Sequence, residues 1–256
     1  MCGVDWEALR PLPDVAPRYR NRRSRTWEHR RDVYAELPKT PIVITAELGT
    51  PIIHAEHPLT HLDSILVFAA FITHPVESVH DGSEPPVVPL PLELTWVSSA
   101  GLPLWACTPL APLESSTDSR EYWHKRYPAH RAEFGSRLNA NLTGGRWREY
   151  RMPVRAHAVR RLGALAIGNA PEVERLLSVI THIGKKGSMG YGRVLRWTVT
   201  ESDHTLDDVL MRRPVPIAFF EGKQPRGRVE LRRAWTPPYW YAPRWTDCVV
   251  PPGEAA

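Results

Sequence analysis

Hydrophobic positions along the chain change period several times, and each change predicts an element. In PIVITAELGTPII (residues 41–53), Ile42, Ile44, Ala46 and Leu48 alternate with more polar neighbours, the signature of a strand. In PLTHLDSILVFAAFI (58–72), Leu62, Ile65, Leu66, Ala69 and Ile72 recur at helical spacing, and Thr60 with Asp63 forms a capping-box-like pair. PLELTWVSSAGLPLWACTPL (91–110) reads as a hairpin. Leu92, Leu94 and Trp96 alternate, Ser99–Gly101 supplies the turn, and Leu102–Cys107 returns. Residues 110–150 break the pattern with REYWHKRYPAHR and Gly144–Gly145, and predict an insertion holding one or two short helices. YRMPVRAHAVRRLGALAIG (150–168) resumes strand character, with Met152, Val154, Ala156 and Ala158 on one half-buried face and Arg151, Arg155 and His157 on the other. NAPEVERLLSVITHIG predicts a helix over 171–183: Asn169 caps it, Pro171 sits in the first turn, Val173, Leu176, Leu177, Ile180 and Ile183 make one stripe, and Gly184 closes it. RVLRWTVT then predicts a strand with Leu195, Trp197 and Val199 on one side.

The sum is strand, helix, strand pair, insertion, strand, helix, strand. This is an α+β fold in the ferredoxin-like (RRM-like) βαββαβ order with embellishments. It divides the chain into a basic N-terminal arm (1–40), a ferredoxin-like domain (41–200) with its insertion at 110–150, and a Pro- and Trp-rich C-terminal extension (201–256). That extension contains RRAWTPPYWYAPRW, has too few apolar residues for a core of its own, and is expected to lie across the main domain.

Charge adds a partner class. The 256-residue chain carries a formal net charge of +5, and arginine greatly outnumbers lysine. Such an excess favours a polyanion, and guanidinium groups suit phosphates and base stacking, although an arginine-rich composition also follows from a GC-rich genome. The arm holds seven arginines in Arg18–Arg31, including Arg22 and Arg23. It reads either as a solvated tail or as a nucleic-acid contact with Tyr19 and Trp27 as stacking rings. Cys2, Cys107 and Cys248 are odd in number and lack CxxC spacing, which points to a reducing compartment without disulfides or a zinc finger. The longest apolar run, Ile65–Ile72, is far short of a membrane span, and the N-terminus lacks the apolar core of a signal peptide. The expectation is a soluble cytoplasmic protein with no membrane partner.

HIGKKGSMGYGRVLRW (182–197) packs four glycines and four cations into sixteen positions. Walker and dinucleotide loops lie after a strand and before a helix, so that a helix N-terminus meets phosphate. Here the order is reversed, and the carbonyl end of the predicted helix faces the loop. Lys185, Lys186 and Arg193 would have to attract the anion, and the glycines would allow close backbone approach. That suits an extended charged backbone laid over a sheet. The alternative is that Gly187, Gly190 and Gly192 only permit tight turns.

GKKGSMGYGRVLRW, behind an amphipathic helix and ahead of the last strand, resembles the glycine-rich loop of the RAMP superfamily of CRISPR-associated proteins. HLDSILVFAAFI resembles that superfamily's first helix. PPYWYAPRWTDCVVP and LPLEL resemble the Cas-five-like subunit of type IV CRISPR systems, the subunit that caps the 5′ handle of the CRISPR RNA. The resemblance covers roughly residues 41–256 and leaves the arm aside. It implies a RAMP fold and a CRISPR RNA-binding subunit of an effector complex, joined to the backbone filament and the large subunit, with target DNA near the handle as a further candidate partner. It also implies a handle-contacting thumb, for which 110–150 is the candidate, and an RNA-contacting loop of Lys185, Lys186, Gly187, Ser188, Gly190, Gly192 and Arg193. Tyr191 in the loop, Arg151, Arg155 and His157 on the strand, Arg146 and Arg148 in the insertion, and Arg22 and Arg23 in the arm complete the candidate RNA contacts.

Some RAMP proteins cleave RNA without metal, using His, Tyr or Lys as acid and base. The candidates here are His54, His57 and His61 between the first strand and helix, His182, and the loop's Tyr191 and Lys186. No acid–base pair stands out, no metal-ligand spacing repeats, and Asp63 reads as a helix cap rather than a nuclease carboxylate. The expectation is a non-catalytic subunit without cofactor or metal. The alternatives are a metal-independent endoribonuclease that processes CRISPR RNA, and a basic assembly protein that uses the aromatics of 235–245 as an interface. Those aromatics could equally cover the chain's own sheet.

Overall fold

The computed structural model describes residues 30–53, 60–73, 85–125, 150–220 and 229–251. In chain order the elements are α1 (30–36), β1 (Thr40–Leu48), β2 (Thr60–His61), α2 (Leu62–Thr73), β3 (Leu94–Val97), β4 (Pro103–Trp105), β5 (Pro109–Pro112), β6 (Thr117–Lys125), β7 (Tyr150–Ala158), β8 (Arg161–Gly168), α3 (Ala170–Leu177), β9 (Val194–Glu201), α4 (Leu206–Leu210), β10 (Val215–Pro216), β11 (Val229–Arg233) and β12 (Thr246–Val250). The protein is mixed α/β with antiparallel sheets.

The alternation in 41–48 forms β1 as predicted, with Ile42, Ile44, Ala46 and Leu48 all buried. β1 is the hub of a five-stranded sheet of order β2-β5-β8-β1-β9. Its register with β8 sets Ile42 beside Ala166, Ile44 beside Ala164 and Ala46 beside Leu162, so one face is continuously apolar. α2 and α3 cover that face with Leu62, Ile65, Leu66, Ala69, Val173, Leu176 and Leu177. A fully buried Ile or Leu contributes about 1.5–3 kcal/mol of transfer free energy, so this interface dominates the fold.

Several predicted elements take a different form. The hairpin at 91–110 exists as β3–β4, but it makes its own two-stranded sheet. Its Leu102 and Leu104 join Leu210, Val215, Trp235, Cys248 and Val250 in a second apolar cluster. The C-terminal residues thus share a core with the hairpin, around the three-stranded sheet β10-β12-β11. The strand that joins β8 in the main sheet is β5, from the start of the predicted insertion. Of the short helices expected at 110–150, none lies in 110–125, where β5 and β6 stand instead; residues 126–149 lie outside the described residues. β6 pairs with β7 as a two-stranded ribbon, which leaves one face open to water; polar residues on β6 therefore satisfy a strand as well as a helix.

The segment 150–168 is two strands, not one. It breaks at Val159–Arg160, and most of β7 is exposed where a half-buried face was expected. α3 ends at Leu177 rather than at residue 183, because the β-branched residues Val179, Ile180, Thr181 and Ile183 follow. Thr181 and Ile183 instead exchange backbone hydrogen bonds with Val194 and Gly192. The predicted Asn169 cap is present, accepting from the Glu172 N–H at 3.2 Å. On β9, Trp197 and Val199 pack on the core, but a bulge in the pairing with Glu47 and Leu48 turns Leu195 out to solvent. The arm is helical at its end: α1 places Arg30 and Tyr34 in the interior near Glu172 and Arg175, and burial lowers the Arg30 guanidinium to about 10.

α2 begins at Leu62, and Thr60 lies in β2 rather than capping the helix. Asp63 accepts from the Ser64 N–H at 2.8 Å, yet its main role is a completely buried ion pair. Arg213 lies 3.4 Å from one carboxylate oxygen, and the Tyr239 hydroxyl donates at 2.9 Å. Burial pushes the Asp63 carboxyl up, opposed by the Arg213 charge and the Tyr239 hydrogen bond. Arg213 also donates to the carbonyls of Trp105, Cys107 and Trp235, so one guanidinium joins α2, the hairpin and the C-terminal segment.

Candidate nucleic-acid interface

The β6–β7 ribbon has two chemically different faces. Paired residues of antiparallel strands share a face, and faces alternate along each strand. The outer face carries the pairs Asp118–His157, Arg120–Arg155, Tyr122–Pro153 and His124–Arg151. The sequence placed Arg151, Arg155 and His157 together, and they are together. It missed Arg120, Tyr122 and His124, which the strand assignment of β6 brings beside them. No period in the sequence marks them, because Glu121, Trp123 and Lys125 between them are equally charged or aromatic. The Arg151 guanidinium lies 3.9 Å from the centroid of the Tyr122 ring. His157 Nδ1 is 2.5 Å from Asp118 Oδ1. Arg120 and Arg155 are exposed and directly opposite, and neither has an ion-pair partner among the described residues. Like charges in such a pair repel, so the arrangement weakens the isolated ribbon and suits a bound anion.

The inner face carries Ser119–Ala156, Glu121–Val154 and Trp123–Met152, and it meets the glycine loop. The Tyr191 hydroxyl donates to Glu121, and the Lys186 ammonium sits 3.8 Å from the Trp123 ring centroid. The Glu121 hydrogen bond raises the Tyr191 phenol, which stays protonated. The loop thus lies against one face of the ribbon while Arg151, Arg155 and His157 occupy the other.

The loop backbone is stapled to residues 49–53. Thr50 Oγ1 donates to the Gly190 carbonyl at 2.7 Å and accepts from the Arg193 N–H at 2.9 Å; the Lys185 and Gly192 amides donate to Ile53 and Pro51. Its glycines have separate roles. Gly192 has φ +63°, and a Cβ there would lie 1.9 Å from the Ile183 carbonyl oxygen, so this position is structural. Gly190 has φ +89° with open space where a Cβ would go, leaving its backbone approachable. Gly187, in a 3₁₀ turn with Ser188 and Met189, would bring a Cβ to 3.1 Å from His182 Cβ. Lys185, Ser188 and Arg193 are exposed. α3 stops at Leu177, so residues 178–183 separate its carbonyl end from this loop.

The catalytic candidates are dispersed. His61 stacks on Tyr239 at 3.9 Å, and burial, reinforced by Arg213 and Arg233, pulls its imidazole down to about 3. It is therefore neutral near pH 7. His182 is not in a helical turn; it bridges to Arg193 and contacts the Thr181 hydroxyl at 3.0 Å. His54, His57, Arg22, Arg23, Arg146 and Arg148 lie outside the described residues, as do Tyr19 and Trp27. Among the described residues, no three His, Cys, Asp or Glu side chains gather as a metal-holding group, and Cys107 and Cys248 are free and buried. The aromatics of 235–245 divide: Trp235 is core and Tyr239 covers Asp63, while Trp240 and Trp245 project.

Residues 129–251 match the family model of the CRISPR type IV associated protein Csf3. This similarity supports a type IV CRISPR-associated protein. The matched stretch contains β7, the whole glycine loop and the C-terminal sheet, while β1, α2 and β6 precede it. No curated protein matches the chain. Among the described residues, no helix is long and apolar enough to cross a membrane.

Proposed function

We propose that the chain is a non-catalytic, cytoplasmic CRISPR RNA-binding subunit of a type IV effector complex. It caps the 5′ handle and contacts the backbone filament and the large subunit, with target DNA near the handle as a further partner. The observation that carries this reading is the outer ribbon face, where Arg120 and Arg155 oppose each other beside Arg151 stacked on Tyr122. Guanidinium groups hold phosphates, and a ring capped by one resembles the stacking platforms of single-strand binders. The strand order β5-β8-β1-β9, with α2 and α3 on one face, supports a ferredoxin-like RAMP unit in which the ribbon is the thumb.

Fluorescence anisotropy with a labelled CRISPR repeat RNA tests binding, and a denaturing gel of the same mixtures tests cleavage. The reading predicts binding that weakens linearly with log salt and no cutting with or without magnesium. Site-specific cutting lost in His54→Ala, His57→Ala, His61→Ala or His182→Ala would replace it with an endoribonuclease.

A further inference from the structure

The two contacts between the ribbon and the glycine loop occupy the groups that an RNA-binding loop would use. Glu121 offers a carboxylate oxygen to the Tyr191 hydroxyl, and Trp123 offers an aromatic face to the Lys186 ammonium. An anionic oxygen and a π-face are also what the phosphate and the base of a nucleotide present to a protein. We propose that this contact is an autoinhibitory latch, in which Glu121 and Trp123 hold Lys186 and Tyr191 until a phosphate and a base of single-stranded RNA take their place. The proposal rests on the RNA-binding reading above.

The geometry supports exchange. Glu121, Trp123, Lys186 and Tyr191 are all partly exposed, so the contact can open without breaching the core. Residues 49–53 hold both parts: they staple the loop backbone, and Ile52 exchanges two backbone hydrogen bonds with His157 at the base of the ribbon. Glu121 and Trp123 pair with Val154 and Met152, beyond that anchor, so this distal part of the ribbon can lift while its base and the loop keep their shape. Lys186 has φ +64°, the only positive φ at a non-glycine residue among the described residues. This left-handed conformation disfavours a side-chain-bearing residue, and here it aims the ammonium at Trp123. Lys185 and Arg193 remain exposed in the latched state, able to attract RNA before the exchange.

The test is anisotropy of labelled single-stranded repeat RNA at one salt concentration with the full chain, Glu121→Ala, Trp123→Ala and Lys186→Ala. Releasing a self-contact raises the competent fraction, so Glu121→Ala and Trp123→Ala should each bind about threefold tighter or more, and Lys186→Ala weaker. Trp123→Ala changes no charge, so tighter binding there cannot come from lost repulsion. Trp123→Leu, apolar but without the π-face, serves if the alanine variant does not fold by its urea midpoint. Equal or weaker binding by the Trp123 variant overturns the latch and leaves RNA binding standing. Absence of binding by every protein, the parent included, overturns the RNA-binding reading and the latch with it.

Discussion

Replacing Arg120, Arg151 and Arg155 together by alanine removes the three exposed arginines of the outer ribbon face. Each single-strand phosphate contact contributes about 0.7 to the slope of log affinity against log salt, so three contacts account for about two units. Over an approximately fourfold rise in salt, those two units correspond to about an 18-fold loss of affinity that the triple variant should no longer show. Single variants should each remove about 0.7. The fold should be unaffected, because exposed substitutions stay within about 0.5 kcal/mol. Arg120→Ala or Arg155→Ala should even raise the urea midpoint slightly by relieving the cross-strand repulsion. The assay is anisotropy of labelled repeat RNA across a salt series, with urea unfolding alongside. An unchanged slope in the triple variant would remove this face from the interface.

Asp63→Ala leaves the fully buried Arg213 charge without its carboxylate and the Tyr239 hydroxyl without its acceptor, and should cost about 3–5 kcal/mol by urea unfolding. A loss under about 1 kcal/mol would show that the pair does not hold the C-terminal segment in place. Gly192→Ala should abolish stable folding, since its Cβ meets the Ile183 carbonyl, whereas Gly190→Ala should cost only about 1–2 kcal/mol of backbone strain. Equal urea midpoints for the two variants would contradict this. His61 is held neutral down to about 3 against an ordinary 6.5, so the unfolded chain binds the extra proton between these values. Its contribution is complete above about pH 6.5 and is lost as pH falls towards 3. The parent should lose more stability between pH 7 and pH 4 than His61→Phe, which keeps a ring on Tyr239; parallel losses would refute the assignment.

Period was legible wherever one face is buried and the other is not. β1, the apolar stripe of α3 and the Asn169 cap follow directly from such patterns. β6 was not legible, because an exposed two-stranded ribbon needs no apolar alternation and its partner strand lies across residues 126–149. For the same reason Arg120 and Tyr122 escaped notice as interface residues, although Arg151 and Arg155 did not. The end of α3 was misplaced because Ile180 and Ile183 continue the apolar stripe in a segment that is no longer helical. The glycine loop was visible as a cluster. That Gly192 serves packing while Gly190 leaves an open backbone depends on where Ile183 sits, which spacing cannot reveal. The Asp63–Arg213 pair spans 150 positions, beyond the reach of any local pattern.

Ultraviolet cross-linking of the native complex purified through this chain, followed by sequencing of the attached RNA and mapping of the cross-linked residues, decides whether the chain holds the 5′ handle. The expected RNAs share a repeat-derived 5′ segment and are cross-linked to the outer ribbon face around Tyr122 and Arg151–His157 and to the loop at 185–193. A complex whose RNA cross-links only to other subunits, or whose attached RNAs share no 5′ segment, would contradict that role.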